Sequence, residues 1–210
     1  MPPKPKTEAE RQRLRILIID AARELFVEQG VEAVTMREIA KRIGYSATSI
    51  YLHFSDKEAL LRAICDTDFL ALAQTLNGIL RIGDPVERLL ALGQGYVKFA
   101  LTYPNHYRLM FMMPRQSCSP ELSSLQQNNA EQDAYYLLKT AVNNVYIAGK
   151  FKPEFQDSEL IAQTIWAAVH GVCSLEIIMS QDAWVNWRMI NDRVETMQRV
   201  IMRGFLREEK

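Results

Sequence analysis

Apolar residues recur at helical spacing along almost the whole chain, and the segments that carry them are separated by helix caps and prolines. The first segment shows this most plainly, because its apolar positions follow a period of about 3.6 residues. These positions are Leu14, Leu17, Ile18, Ala21, Ala22, Leu25 and Phe26. No segment shows the alternation that is typical of a strand, so the pattern predicts an all-α fold of roughly nine helices.

Two short helices near the N-terminus are separated by a turn that contains glycine. Thr35 and Glu38 have the spacing of a capping box, which predicts a helix that begins there and ends at Gly44. Ser46 is expected to cap a second short helix that continues to about His53. Two short helices joined in this way predict a helix-turn-helix unit.

Longer helices are predicted behind this unit from their caps and breaks. A second capping box at Ser55 to Glu58 opens a helix toward Leu80, and Pro85 begins the next at its first position. Pro104 breaks that helix, and a short helix is expected between it and Pro114. Two further helices are expected from about 119 to 149 and from about 187 to 206, with an apolar helix between them.

Charge is balanced overall, so its distribution says more than its sum. The chain has 25 basic and 25 acidic residues among its 210 residues. Five basic residues precede Ile16 and form a predicted basic N-terminal arm: Lys4, Lys6, Arg11, Arg13 and Arg15. Such an arm binds phosphates or a minor groove in many proteins, and a solvated tail explains the same residues equally well.

Several classes of protein are not expected from this sequence. The three cysteines are odd in number and far apart, which favours reduced thiols over a disulfide framework or a zinc site. The longest uncharged run, residues 160–175, is shorter than a membrane span, and no secretory signal follows the first residues. No nucleophile elbow, phosphate loop, dinucleotide fingerprint or paired-histidine metal helix is present. We therefore expect a soluble, cytoplasmic and nucleoid-associated protein that is not an enzyme and has no catalytic residue, metal or cofactor.

The second short helix has the polar surface of a recognition helix. Hydroxyl groups cluster at its start, on Ser46, Thr48 and Ser49, and the methyl groups of Ala47 and Thr48 can contact thymine methyls. We expect double-stranded DNA as the partner of this helix, with its Ile50 and the following Phe54 directed into the core.

These residues also carry a resemblance to a known family. The runs TMREIAKRIGYS (residues 35–46) and SIYLHFSDKEALL (residues 49–61) resemble the signature of the TetR/AcrR transcriptional regulators, over about residues 10 to 64. The resemblance implies that Tyr51, His53 and Lys57 contact phosphates. Leu52 departs from it, since many members carry a second aromatic residue there. Thr35 and Arg37 complete the predicted DNA-binding set, and Arg37 is as compatible with simple solvation.

The second half resembles a C-terminal domain type named for its Trp-His-Gly (WHG) residues, here Trp166, His170 and Gly171. A small hydrophobic or aromatic effector is expected near these helices, because aromatic residues with a few polar groups are typical of small-molecule sites. The candidate effector residues are Tyr96, Phe99, Tyr107, Phe111, Trp166 and His170. Core packing is the alternative explanation for each of them.

The resulting hypothesis is a ligand-responsive repressor. Residues 1–54 form the DNA-binding domain of three helices, and residues 55–210 form a six-helix effector-binding and dimerisation domain. The helices around Trp166 and Ile190 are too apolar for one core face, which predicts a homodimer that reads a palindromic operator. The alternative hypothesis is an architectural or cell-cycle DNA-binding protein of the same fold, with a C-terminal domain that holds protein partners.

Overall fold

A computed structural model describes residues 7–112 and 122–208, and its regular elements are helices. They are α1 (Glu8–Gln29), α2 (Met36–Arg42), α3 (Ala47–Tyr51), α4 (Lys57–Asn77), α5 (Pro85–Thr102), α6 (Pro104–Phe111), α7 (Ala134–Ile147), α8 (Ser158–Met179) and α9 (Ile190–Phe205), with a 3₁₀ turn at Gly78–Arg81. The all-α prediction is confirmed. Lys4 and Lys6 of the predicted arm, together with Cys118 and Pro114, lie outside the described residues.

The chain divides into two compact units. The first comprises Met1–Asp68 and Asn105–Ser124, and the second comprises Phe69–Pro104 and Leu125–Lys210. The boundary between the two units therefore lies inside α4, and most of α6 belongs to the first unit. The predicted functional boundary between residues 54 and 55 stays a prediction.

The core of the first unit is built on one face of α1. The predicted apolar stripe is buried there except for Leu17, which is exposed, while Ile19 is buried instead. Helices α2 and α3 and the start of α4 cover this face, and α6 adds Leu109. The remaining buried members of the core are Val34, Met36, Ile39, Ala40, Ile50, Phe54, Leu60 and Ile64.

Helix starts in the first unit are fixed by side-chain caps. Thr35 accepts from the backbone N–H of Glu38 at 3.2 Å and its own N–H reaches the Glu38 carboxylate at 2.7 Å, so the predicted capping box is confirmed. The second predicted box is wrong. Asp56 caps α4 by accepting from the N–H of Ala59 at 2.7 Å, and Ser55 donates its hydroxyl to Asp56. A carboxylate at this position satisfies the free N–H groups of the first turn more strongly than a hydroxyl.

The second unit is a bundle of α5, α7, α8 and α9, in which α5 packs on α7 and α8, and α8 packs on α7 and α9. Its buried apolar residues include Leu89, Leu92, Phe99, Leu137, Val142, Val145, Ile161, Val169, Cys173 and Met202. Phe151 and Leu206 form an isolated antiparallel bridge that ties the α7–α8 connection to the end of α9.

Two predicted helix starts are wrong. The helix expected from residue 119 begins at Ala134, because polar side chains bind the backbone in the preceding segment: the N–H of Asn128 donates to Asp133, and Asn128 has a φ of 61°. Such local bonds compete with helix formation. The last helix begins at Ile190 rather than Trp187.

Candidate nucleic-acid interface

The turn between α2 and α3 is built around a glycine in the left-handed region. Gly44 has a φ of 71°, a conformation that costs a residue with a Cβ roughly 1–2 kcal/mol. The N–H of Tyr45 donates to the carbonyl oxygen of Ala40 at 2.9 Å and closes the turn. Ser46 then caps α3 by accepting from the N–H of Ser49 at 3.2 Å. The predicted helix-turn-helix is therefore present in its expected register.

Helix α3 is held in place from its inner side. Ile50 and Phe54 are buried, as predicted, and the guanidinium of Arg15 lies 4.6 Å from the centre of the Phe54 ring. Arg11, Arg13 and Arg15 were expected in an arm, but they belong to α1, which begins at Glu8. Arg15 thus supports α3 from a helix rather than from a tail.

None of the nine predicted DNA-contact residues is buried. Thr35, Arg37, Ser46, Thr48 and Tyr51 are exposed, and Ala47, Ser49, His53 and Lys57 are partly exposed. The opposite side of the same short helix carries buried Ile50, so α3 presents one polar face outward. Tyr51 is 52% exposed, so its phenol is available to a phosphate.

Some hydroxyls in this set are already engaged. The hydroxyls of Ser46 and Ser49 lie 2.9 Å apart, and that of Thr35 donates to Glu38 at 2.8 Å. The hydroxyl of Thr35, followed by its backbone N–H, lowers the pKa of the Glu38 carboxyl. Ser46 and Thr35 are thus helix caps, and the hydroxyl of Ser49 is paired with that of Ser46.

Lys57 is tied to the turn between α1 and α2. Its ammonium donates to the carbonyl oxygen of Val31 at 2.8 Å and to that of Glu32 at 3.3 Å. A lysine ammonium has three N–H donors, so a phosphate oxygen can use the third. The sequence did not reveal this structural role, because the acceptors are backbone atoms.

A polar cluster inside the second unit joins three of the predicted effector residues. The hydroxyl of Tyr96 on α5 accepts from the indole N–H of Trp166 at 3.2 Å and lies 3.1 Å from Nδ1 of His170, both on α8. Burial lowers the pKa of His170, so its imidazole is neutral at pH 7. A neutral Nδ1 that accepts from Tyr96 completes a consistent set of donors and acceptors.

The other three predicted effector residues are distributed between the two units. Phe99 is buried in the second unit with its ring 5.5 Å from that of Tyr103. Tyr107 and Phe111 belong to the first unit, where their rings lie 4.9 Å apart. The sequence missed Tyr135 on α7, whose ring is 5.6 Å from that of Trp166. Burial and the neighbouring Glu159 raise the pKa of Tyr135.

A second cluster that the sequence did not reveal lies in the first unit. The carboxylate of Asp68 on α4 is fully buried and receives two hydrogen bonds from Arg23 on α1, at 2.7 and 3.2 Å. The two residues are 45 positions apart, so the helical period of either helix gives no signal that they meet. Within residues 7–112 and 122–208, no group of three His, Cys, Asp or Glu side chains is placed to hold a metal ion.

Helix α8 leaves much apolar surface uncovered. Its length and composition are those of a helix that could cross a membrane. The buried core helix of a soluble protein has the same length and composition, so a single such helix is weak evidence for a membrane span. Its exposed apolar residues are Leu160, Leu175, Ile178 and Met179, and those of α9 and the connection between the two helices are Trp184, Val185, Met189 and Val200. Such a large exposed apolar area is typical of a surface that another molecule covers.

Two family models match the chain. Residues 18–64 match the model described as bacterial regulatory proteins, tetR family, and residues 89–182 match the model described as tetracyclin repressor-like, C-terminal domain. The first match contains α2, α3 and the turn at Gly44. The narrower resemblance of the second half to the Trp-His-Gly type stays a prediction.

Named relatives agree with these matches over the N-terminal part. The regulator SrpR of Pseudomonas putida is 44% identical over 59 residues, which are 28% of each chain. The repressor AcnR of Corynebacterium diphtheriae is 36% identical over 84 residues, 39% of this chain and 43% of that protein. The matched stretch thus spans less than half of either relative.

Solved structures share the whole fold. A protein of unknown function from Rhodococcus sp. RHA1 superposes with a TM-score of 0.74 at 23% identity, covering 99% of this chain and 100% of that one. The fatty acid degradation regulator FadR from Bacillus halodurans gives a TM-score of 0.72 at 19% identity, covering 90% and 98%.

The fold and the exposed face of α3 define a helix-turn-helix transcriptional regulator. The chain belongs to the TetR family of bacterial regulatory proteins. Its named relatives are transcriptional regulators and not enzymes, so the prediction that the chain is not an enzyme is confirmed.

Proposed function

We propose that this chain is a cytoplasmic repressor that binds a palindromic operator as a homodimer and leaves it when a small hydrophobic or aromatic effector binds. The observation that carries this proposal is the division of α3 into a buried side at Ile50 and an exposed side at Thr48 and Tyr51. A short helix anchored on one side and polar on the other can enter a major groove without losing its support.

DNA contacts divide into two kinds. Ala47 and Thr48, near the start of α3, are the candidates for contacts with base edges, because the first residues of a recognition helix reach them. Tyr51, His53, Lys57 and Arg37 are the candidates for phosphate contacts, which position the protein without reading sequence. The cap at Ser46 and the capping box at Thr35 fix the backbone that carries both sets.

The uncovered apolar surface of α8 and α9 supports the homodimer. A second copy of the chain offers the same surface, so a two-fold arrangement covers both at once. An obligate interface of this kind buries on the order of 2,000 Å² or more. Two identical recognition helices then require an operator with two related half-sites.

The cluster of Tyr96, Trp166 and His170 supports an uncharged effector. Its three polar groups are the hydroxyl of Tyr96 on α5 and the indole and imidazole of Trp166 and His170 on α8, and none of them carries a full charge when the imidazole is neutral. An aromatic or hydrophobic molecule with one hydrogen-bonding group has the chemistry that such residues recognise. Repression, rather than activation, is proposed by analogy with AcnR, which is a transcriptional repressor.

A selection experiment tests the DNA part of the proposal. Full-length protein is used to select duplexes from a random pool, and the enriched sequences are expected to share two inverted half-sites. Thr48→Ala should change which bases are enriched, whereas Tyr51→Phe should weaken all enriched duplexes alike. Enrichment of a single, non-repeated site would contradict the palindrome, and failure to enrich any sequence would contradict the proposed function.

A further inference from the structure

The buried carboxylate of Asp68 joins three helices of the first unit. It lies on α4 and accepts from Nη2 and Nε of Arg23 on α1, at 2.7 and 3.2 Å. Nδ1 of His106, on the first turn of α6, lies 3.0 Å from the same carboxylate. Asp68 therefore has a cationic partner on one side and an imidazole on the other.

The energetic cost of such a cluster indicates what it does. Removing two charges from water costs several kcal/mol for each ion, and the attraction between them repays this only with good geometry. Although burial lowers the pKa of Arg23, its interactions with Asp68 and then with Asp20 raise that pKa overall, which keeps the guanidinium charged. Apolar residues could fill the same space at similar stability, whereas charged groups fix the direction in which the helices meet.

Helix α6 is attached to the first unit at two points on one face. His106 contacts Asp68, and Leu109, three residues later, belongs to the apolar core that also contains residues of α1, α2 and α3. Residues three apart on a helix lie on the same side, so both attachments act on the same face of α6. A displacement of α6 therefore acts directly on the core that supports the helix-turn-helix.

Helix α6 follows α5 directly in the chain, so the attachment of α6 lies close in sequence to the proposed effector residue of α5. Helix α6 begins at Pro104, directly after α5 ends at Thr102, and α5 carries Tyr96 of the proposed effector site. The segment that enters the first unit at His106 thus follows the effector candidates within a few residues.

We propose that His106 is a positioning residue for DNA binding, which acts through Asp68 and Arg23 to fix the orientation of α1 relative to α6. This inference rests on the proposed function, because DNA binding is its readout. His106 itself touches no DNA in this scheme. Loss of its contact leaves the DNA-binding unit folded but more mobile, so binding must order it at an additional entropic cost.

Three variants test the role of His106. His106→Leu removes the polar contact, His106→Asn keeps a polar amide near the position of Nδ1, and Asn105→Ala is a control at a partly buried neighbour on the same helix. The probe is a duplex that the wild-type protein selects from a random pool. We expect His106→Leu to lower affinity three- to tenfold and the other two variants to stay within twofold of the wild type.

A second arm separates positioning from simple folding. Arg23→Lys keeps the charge but loses the two parallel hydrogen bonds to Asp68. The losses of DNA affinity caused by Arg23→Lys and His106→Leu should therefore be non-additive. Hydrogen exchange should rise in α1 of His106→Leu and stay unchanged in α7, with little change in melting temperature. Additive losses, or equal affinity of His106→Leu and the wild type, would overturn the inference. A wild-type protein that selects no duplex would instead count against the proposed function.

Discussion

The ammonium of Lys57 donates to the carbonyl oxygen of Val31 at 2.8 Å and to that of Glu32 at 3.3 Å. Both carbonyls follow the end of α1 at Gln29, while Lys57 is the first residue of α4. One side chain therefore joins the start of α4 to the turn that leads into α2. A residue predicted as a phosphate contact thus has a structural role as well.

Lys57→Met separates these two roles. Methionine keeps the length of the side chain and removes its charge, so the variant loses the contacts with the turn. Because the site is partly exposed, we expect a loss of about 1 kcal/mol, which lowers the melting temperature by roughly 2–4 °C. If the third N–H binds a phosphate, the log–log salt slope of DNA affinity should also flatten by about 0.9.

Affinity for a selected duplex between 50 and 200 mM salt measures the second effect. Lys98→Met, which removes an exposed lysine of α5, is the matched control and should change neither quantity. A lower melting temperature with an unchanged salt slope would show that Lys57 is a structural tie and not a phosphate contact.

Local interactions were predictable from the sequence, whereas distant ones were not. The caps at Thr35 and Ser46 link residues three apart, and both are present as expected. Arg23 and Asp68 are 45 positions apart, so no pattern of spacing connects them. The same limit applies to Lys57, whose acceptors are backbone atoms that lie 25 and 26 positions earlier.

The errors at helix ends have a physical cause of their own. Asp56 replaces Ser55 as the cap of α4, because a charged acceptor satisfies the first-turn N–H groups better. Its pKa is lowered by the N–H of Ala59 and then by the hydroxyl of Ser55. Where two capping residues are adjacent, the pattern of residue types alone does not decide between them.

Ile178→Glu tests the proposed dimer. Ile178 is 59% exposed on α8 of the single chain, and a homodimer through α8 and α9 would bury it. A carboxylate in that interface would lose its hydration without a partner, so the dimer should dissociate. Sedimentation at micromolar concentration is expected to give about twice 24.1 kDa for the wild type and 24.1 kDa for the variant.

Ile147→Glu is the control for the dimer, because Ile147 is 74% exposed and belongs to α7, whereas the proposed interface is formed by α8 and α9. It should sediment with the wild type. A wild-type monomer, or equal dissociation of both variants, would rule out the interface on α8 and would remove the reason for a palindromic operator.

Tyr96→Phe tests the polar cluster of the second unit. The change removes a hydroxyl that accepts from Trp166 and contacts His170, and it leaves two partly buried groups without that partner. We expect a loss of about 1–2 kcal/mol in the free energy of unfolding, with affinity for a selected duplex within a few-fold of the wild type. Urea unfolding and DNA titration measure the two quantities.

Trp166→Phe removes the donor on the other side of the same bond. Its effect should be non-additive with Tyr96→Phe, since both variants break one shared interaction. Fully additive losses of stability would show that the two residues contribute through packing alone and would weaken the case for a polar effector site.

The pH dependence of stability provides a test of His170. Burial lowers its pKa in the folded protein, whereas the unfolded chain titrates near the ordinary value of about 6.5. Below that ordinary value the unfolded state binds the proton more readily, so His170 contributes a loss of stability as the pH falls through it. The loss stops growing once the pH is below the folded pKa as well.

His170→Asn keeps an oxygen near the position of Nδ1 that can accept from Tyr96, and it cannot titrate. Carboxylates affect both proteins alike, so they cancel when the two are compared. Melting temperatures at pH 7.5, 6.5 and 5.5 should therefore fall more steeply for the wild type than for the variant. Parallel curves would mean that the pKa of His170 is not lowered in the folded protein, and the case for a neutral imidazole in the effector site would be lost.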